Sequence, residues 1–151
     1  MSKRLVYEVG IIRGGIPIVR KQYIESSATS TDSMLIGGIL DALINFVNET
    51  FRDSAEEFKM ANYHVYIERV VLCKEKLLMY ALCGTGKESG PVRNALAAIV
   101  ERLSRDSWTD KIKFSNLNAA QYTVLYPVID ENILPLNLSY AERARSKLKR
   151  F

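Results

Sequence analysis

The chain has 151 residues, of which 48% are apolar, and its formal net charge at pH 7 is +4. This length and composition predict one domain with a substantial hydrophobic core. They exclude a transmembrane helix, because no apolar stretch approaches the roughly 18 residues that a span requires. Since no signal-peptide pattern follows the first four residues, we expect a cytoplasmic protein.

Two short strands at the start of the chain are predicted to form a β-hairpin. Apolar residues recur with a period of two over residues 5–12 and again over residues 16–24. Gly14 and Gly15 between them suit a two-residue turn that needs positive φ angles. Pro17 has no backbone N–H, so the second strand is predicted either to lie at an edge of the sheet or to turn its proline nitrogen outward.

A long helix is predicted next, from about Asp32 to Phe51. At 100° per residue its apolar side chains cover an arc of roughly 200°, about twice the stripe of an ordinary surface helix, so one sheet face cannot cover them all. The remaining polar strip consists of Gly37, Gly38, Asp41, Asn45, Asn48 and Glu49. The two glycines each cost about 1 kcal/mol relative to alanine. Either they are a tolerated weakness, or another backbone approaches the helix closely there.

The second interpretation places a partner or dimer interface on this helix. The residues predicted to form it are Met34, Gly37, Gly38, Asp41 and Asn45. The surplus of apolar side chains beyond the polar strip favours the same conclusion, because a lone domain lacks a cover for them.

Three more strands are predicted at about residues 57–62, 63–73 and 77–83, with a turn at Lys74-Glu75-Lys76. This register sets Cys73 opposite Leu77 and Cys83 opposite Ile67, so the two thiols are out of register for a disulfide. Both cysteines are predicted to be buried and reduced.

The C-terminal half contains one clear helix and one ambiguous segment. Apolar residues recur every three to four positions from Pro91 to Arg105, which predicts an amphipathic helix. Residues 119–134 combine strand-favouring side chains with a spacing that a helix also uses, and Pro127 would kink a helix or break a strand.

The order of these elements resembles that of the longin and roadblock group of domains. The resemblance lies in the Gly14-Gly15 hairpin, in the run Leu-Ile-Gly-Gly-Ile-Leu-Asp-Ala-Leu at residues 35–43, and in residues 122–134, which are similar to the last longin helix of clathrin-adaptor small chains. It implies an α+β fold with a five-stranded antiparallel sheet in the order β-β-α-β-β-β-α-(α). One helix would cover one face and the C-terminal helices the other, with residues 119–134 helical. The domain would span residues 1–138, followed by a tail at 139–151.

The function implied by the resemblance is that of a non-enzymatic scaffold, without catalytic, cofactor-binding or metal-binding residues. Such a domain forms a homodimer, or a heterodimer with a related longin or roadblock domain. It acts in small-GTPase regulation or in assemblies like those of vesicle trafficking.

A nucleotide- or ligand-binding protein is the main alternative, and it would use the loop from Gly84 to Gly90. Gly84-Thr85-Gly86-Lys87 stands between a predicted strand and a predicted helix, as a phosphate-binding loop does. The pattern fails at Ala81, where it requires glycine, and at Glu88, where it requires serine or threonine. His64, the only histidine, has no Cys or carboxylate at a metal-ligand spacing along the chain, which favours a structural role.

The C-terminal tail carries the net charge of the whole chain. Residues 140–151 contain five basic residues and one acidic residue, and the rest of the chain has 16 of each sign. The basic residues are Arg143, Arg145, Lys147, Lys149 and Arg150, and a helix here would also have an apolar edge. These residues are predicted to contact an anionic membrane surface or an acidic partner, with a solvated end as the third alternative. Nucleic-acid binding is not expected, because the neutral body offers no wider basic face.

Overall fold

A computed structural model describes residues 6–23, 33–51, 56–85, 90–105, 107–116 and 118–138. Its strands are β1 (Val6–Arg13), β2 (Ile16–Gln22), β3 (Glu57–Lys59), β4 (Tyr63–Leu72) and β5 (Glu75–Gly84). Its helices are α1 (Ser33–Phe51), α2 (Gly90–Arg105) and α3 (Tyr126–Asn137), and a 3-10 helix (Ala119–Leu125) leads into α3.

The five strands form one open antiparallel sheet in the order β2-β1-β5-β4-β3. The predicted mixed α+β class and the antiparallel sheet are confirmed. Gly14 and Gly15 have φ angles of 54° and 80°, as the predicted two-residue turn requires. Pro17 lies in β2, which is an edge strand of the sheet as predicted.

Helices cover both faces of the sheet and form two hydrophobic cores. The larger core joins alternate residues of β1, β4 and β5 to α2, the 3-10 helix and α3, and Leu96, Ile99 and Ile133 are fully buried in it. The smaller core joins the other sheet face to α1 through Leu40 and Ile44. Burying a leucine or isoleucine contributes about 1.5–3 kcal/mol, so the larger core supplies most of the stability.

The turn between β4 and β5 differs from the prediction. It consists of only two residues, Cys73 and Lys74, whose φ angles are 51° and 66°. Leu72 therefore pairs with Glu75, and Cys83 lies opposite His64 instead of Ile67. Both cysteines are free, as predicted, but Cys73 is only half-buried. Its Sγ lies 3.9 Å from the Ile112 carbonyl oxygen.

The ambiguous segment after residue 118 is helical, in two parts. Asn118 caps the 3-10 helix by accepting a hydrogen bond from Ala120 N at 3.0 Å. Pro127 then falls in the first turn of α3, where the missing N–H costs nothing because no carbonyl precedes it in the helix. Pro127 therefore lies at the start of α3, just after the change from 3-10 to α-helix, and not in the interior of a helix.

Candidate functional site

The outer surface of α1 leaves two large apolar side chains uncovered on neighbouring turns of one helix. Leu40 and Ile44 face the sheet and are buried, whereas Ile39 is 49% exposed and Leu43 is 40% exposed. At 100° per residue, Ile39 and Leu43 are turned about 100° away from Leu40 and Ile44 around the helix. The sheet therefore covers only part of the broad apolar arc.

Small residues occupy the middle of this outer surface. Gly38 and Ala42 are one turn apart and both exposed, and a methyl group added at Gly38 would meet nothing within 4 Å. Ile39 and Leu43 lie on one side of them and Asn45 on the other. We call these five residues, Gly38, Ile39, Ala42, Leu43 and Asn45, the α1 outer surface.

Asp41 marks the boundary between this surface and the sheet. Its carboxylate lies 3.6 Å from where a Cβ would stand on Gly15, in the turn between β1 and β2, so this side of α1 faces the hairpin. Asn45 Nδ2 lies 3.5 Å from Asp41 Oδ2, a long contact that orients both side chains. Ile39 and Leu43 lie about 160° around the helix from Asp41. The apolar residues therefore lie on the side of α1 away from the hairpin turn.

For two of the five predicted interface residues the structure does not describe the surroundings. Met34 and Gly37 belong to α1, but their surroundings lie outside the described part of the structure. The predicted tail contacts at Arg143, Arg145, Lys147, Lys149 and Arg150 also lie outside it. Of the remaining three, Gly38 and Asn45 are exposed and Asp41 is half-buried. The prediction did not name Ile39, Ala42 or Leu43, although the width of the apolar arc pointed to them.

His64 has a carboxylate neighbour that its position in the sequence does not reveal. It is buried in β4, and its Nε2 donates a hydrogen bond to Glu57 of β3. Arg93 of α2 pairs with the same carboxylate at 3.1 Å, while the Tyr66 ring stacks on the imidazole with centroids 4.4 Å apart. Partial burial works to raise the pKa of Glu57, but the hydrogen bond from His64 and the charge of Arg93 hold it below its usual value.

This cluster fastens the short strand β3 to β4 and α2. Among the described residues, no group of three or more side chains is arranged to hold a metal ion. His64 is held by contacts that join three elements, and the spacing along the chain did not identify Glu57 as its partner. The carboxylate comes from the neighbouring strand, which spacing along the chain does not show.

The loop from Gly84 to Gly90 is only partly described, and Gly84 itself has a packing role. A Cβ on Gly84 would lie 2.8 Å from the Tyr7 hydroxyl oxygen, so the close approach of that ring explains the glycine. Thr85 is exposed, and residues 86–89, which include Lys87, lie outside the described ranges. Gly84 thus gives no support to a phosphate-binding loop.

A buried carboxylate on the α1 face of the sheet was missed by the sequence analysis. Glu8 is fully buried in β1 and accepts a hydrogen bond from Arg20 Nε at 3.0 Å. The Tyr80 hydroxyl donates to its other oxygen, and Gln22 Nε2 lies 3.4 Å from the first. Both carboxylate oxygens are therefore satisfied, as a buried charge requires. This Glu8 cluster ties β2 and β5 to β1.

The Glu8 cluster predicts a loss of stability at alkaline pH. Burial, and then the hydrogen bond to Glu8, raise the pKa of Tyr80 far above its usual value of about 10. The unfolded protein then releases this proton at a lower pH than the folded protein does. Stability is fully present below pH 10 and falls above it, by up to about 1.4 kcal/mol per pH unit for this group. Urea unfolding at pH 9, 10 and 11 measures the slope.

The Tyr80→Phe variant is the control for this pH dependence. It should be less stable at pH 9, because Glu8 loses a donor, but its stability should fall less steeply between pH 10 and 11. Tyr23 contributes to the slope in both proteins, because burial and its 2.6 Å hydrogen bond to Asp130 also raise its pKa. Equal slopes for the two proteins would contradict the assignment to Tyr80.

Neither a scan of the chain against protein-family models nor a search of curated proteins finds a match. None of the helices in the described ranges is both long and apolar enough to cross a membrane. A function must therefore be inferred from the geometry of the chain itself. The α1 outer surface is the most specific feature of that geometry.

Proposed function

We propose that the chain is a non-enzymatic interaction module of the longin or roadblock type, which pairs with a second domain through the α1 outer surface. The observation that carries the proposal is the exposure of Ile39 and Leu43 on a helix whose opposite side already packs on the sheet. Single exposed apolar residues are common, but two on successive turns beside Gly38 and Ala42 form a continuous surface.

The small residues at the centre of this surface allow a partner backbone to come close. With no side chain at Gly38 and only a methyl group at Ala42, a second helix can pack against α1 at the short end of the usual 8–10 Å range of interaxial distances. Ile39 and Leu43 would then fill the space beside the contact. This arrangement supplies a reason for the helix-destabilising glycine at residue 38, which the fold itself does not require there.

The energy available from the apolar side chains indicates how large the interface must be. Burying the exposed half of Ile39 and of Leu43 contributes about 1 kcal/mol for each side chain, or about 4 kcal/mol for both members of a symmetric pair. Association costs at least about 4 kcal/mol in lost translational and rotational freedom. The interface must therefore extend beyond these two side chains, and Asp41 and Asn45 are the adjacent polar residues.

The charge of α1 bears on whether the partner is a second copy of the chain or a related domain. The only charged residues of α1 are Asp41 and Glu49, both acidic. In a homodimer these carboxylates are best kept at the rim, while a related domain with a basic helix strip would pair with them directly. By the resemblance to longin and roadblock domains, the pair would serve small-GTPase regulation or a trafficking-like assembly on the cytoplasmic side of a membrane.

The first test is the molar mass in solution. Light scattering over a range of protein concentrations should give twice the chain mass of 17.1 kDa for the wild-type homodimer. Gly38→Arg should raise the dissociation constant at least about 100-fold, equal to about 2.7 kcal/mol, because a long charged side chain then occupies the centre of the contact. Its far-ultraviolet circular dichroism should be unchanged, since space around Gly38 is open.

Ala98→Arg on α2 is the matched control, because Ala98 is also a small exposed residue on a helix. It should leave the dissociation constant unchanged. If wild-type protein is monomeric at all concentrations, the homodimer is refuted. A pull-down with wild-type and Gly38→Arg baits then decides the heterodimer, and equal recovery of bound proteins by both baits would exclude the α1 outer surface.

A further inference from the structure

We propose that one end of the domain is a docking surface for an anionic lipid membrane, and that both ends of the chain contribute to it. The proposal is independent of pairing through α1. It rests on where the first and last described residues lie, on the exposed apolar side chains around them, and on the distribution of charge along the chain.

The two ends of the described chain are joined by hydrogen bonds. Asn137, at the end of α3, accepts a hydrogen bond from Val6 N through Oδ1 and donates one to Val6 O through Nδ2, both at 2.8 Å. Val6 is the first residue of β1. The amide of Asn137 thus fixes the end of α3 to the start of the sheet, and the segments before Val6 and after Leu138 leave the domain from the same place.

The register of the strands shows which other residues lie at this end. Val6 pairs with Cys83, Cys83 with His64, and His64 with Lys59, so these residues form one row across four strands. Met60 follows directly in the turn between β3 and β4, where its N–H donates to Tyr63 O. We call this end of the sheet, with the end of α3, the terminal end.

Exposed apolar side chains surround the terminal end. Met60 is 48% exposed, and Leu134 and Leu138 are exposed one turn apart at the end of α3. Their spacing of four places them on one side of the helix. Exposed apolar groups near basic residues are the features by which peripheral proteins enter the headgroup region of a membrane.

Positive charge is concentrated in the segments that leave from this end. Residues 6–138 contain 14 basic and 16 acidic residues, a net charge of −2, whereas residues 1–5 and 139–151 together contain seven basic residues and one acidic residue. Arg4 and Lys3 precede Val6 by two and three residues, so even an extended chain keeps them within about 7 and 11 Å of it, and the same limit for Arg143 is about 22 Å from Asn137. A charge of +6 is therefore tethered to one end of a slightly acidic body.

These observations favour a lipid surface over an acidic protein as the occupant. Anionic lipids attract any basic residues that are held near the membrane surface, and the residues do not need a fixed arrangement. Two separate basic segments joined at one point, beside exposed Met60, Leu134 and Leu138, meet that requirement. The negative body keeps the rest of the domain away from the same lipids, so the terminal end would face the membrane.

Sedimentation of the full chain with vesicles tests the charges. The protein should bind vesicles of 30% phosphatidylserine in phosphatidylcholine and not vesicles of phosphatidylcholine alone, and binding should weaken as salt rises. Replacing both Lys3 and Arg4 by glutamine should lower the partition coefficient about 30-fold, and so should the pair Arg145→Gln and Lys147→Gln.

The control pair is Lys74→Gln and Lys76→Gln, two exposed lysines at the opposite end of the sheet. It should change the partition coefficient less than about threefold, because those charges lie away from the membrane. Absence of binding to phosphatidylserine vesicles would overturn the proposal. So would a normal partition coefficient for the Lys3 and Arg4 variant, or tighter binding to polyglutamate than to the vesicles.

Orientation is tested separately by a tryptophan placed at each end of the sheet. Met60, in the turn before β4, and Val71, near the last residue of β4, are exposed to similar extents, 48% and 45%. With vesicles of brominated lipids, Met60→Trp fluorescence should shift to the blue and be quenched, and Val71→Trp fluorescence should not change. Equal responses of the two variants would overturn the assignment of the terminal end.

Discussion

Replacing Arg20 by methionine is expected to lower the free energy of unfolding by about 3–5 kcal/mol, a large part of the stability of a single domain. Arg20 Nε donates to the fully buried carboxylate of Glu8 at 3.0 Å. Without the guanidinium, the carboxylate keeps only hydrogen bonds from Tyr80 and the distant Gln22. A buried charge without an opposite charge is the costly result, and urea unfolding at pH 7 measures it.

A second substitution separates the loss of the charge pair from the loss of packing. Glu8→Gln removes the charge but keeps an oxygen that accepts the hydrogen bond from Tyr80. In the Arg20→Met background it should therefore restore about half or more of the lost stability. Arg105→Met is the control, because the Arg105–Glu101 pair is exposed and contributes at most about 1 kcal/mol. A loss for Arg20→Met no larger than that of the control would show that the Glu8 pair is not important for stability.

The Glu8 cluster was not predictable because it depends on a β-bulge. A two-residue turn at Gly14 and Gly15 sets residue 12 opposite residue 17, and a regular continuation would set Arg20 opposite Val9, on the other face from Glu8. In the structure Ile11 pairs with Val19, so β2 has one extra residue at Ile18. That extra residue turns Arg20 onto the face of Glu8, since a shift of one residue exchanges the two faces. No residue type in β2 signals the bulge.

The turn between β4 and β5 also has a register that its residue types do not reveal. Positive φ angles can usually be predicted because glycine, asparagine or aspartate occupies the position. Here Cys73 and Lys74 adopt them instead. The ten-residue strands on both sides fix the register and offset the cost of about 1–3 kcal/mol for each strained residue. The charged run Lys74-Glu75-Lys76 instead predicts a turn that begins one residue later, and that register sets Cys83 opposite the wrong partner.

Periodicity predicted more of the candidate functional site than residue type did. The arc of roughly 200° on α1 indicated that one sheet face cannot cover the helix, and Ile39 and Leu43 are indeed exposed. The predicted interface instead followed the polar strip, which the two glycines mark in the sequence. Which part of the arc faces the sheet is decided by the position of α1 over the β1–β2 hairpin, where Asp41 approaches Gly15. That position is a tertiary feature, which the helix sequence does not contain.

Replacing Gly10 by alanine is expected to lower the free energy of unfolding by about 3 kcal/mol, at the upper end of the usual cost of overpacking. The added methyl group would lie 2.3 Å from Tyr80 Cε1, 2.5 Å from Cζ and 2.6 Å from the hydroxyl oxygen. Tyr80 is buried, and its hydroxyl donates to Glu8, so the ring cannot move without leaving the carboxylate short of a donor. Thermal and urea unfolding both measure the loss.

Gly90→Ala is the matched control for Gly10→Ala, because it makes the same chemical change, at the start of α2, where nothing lies within 4 Å. It should leave stability unchanged or raise it by up to about 1 kcal/mol, through the higher helix propensity of alanine. In a Tyr80→Leu background, Gly10→Ala should cost much less than about 3 kcal/mol, because the ring that it displaces is gone. An equal cost in both backgrounds would place the strain in the β1 backbone. A smaller cost with leucine means that β1 carries glycine at this position to let the Tyr80 ring pass across it to Glu8.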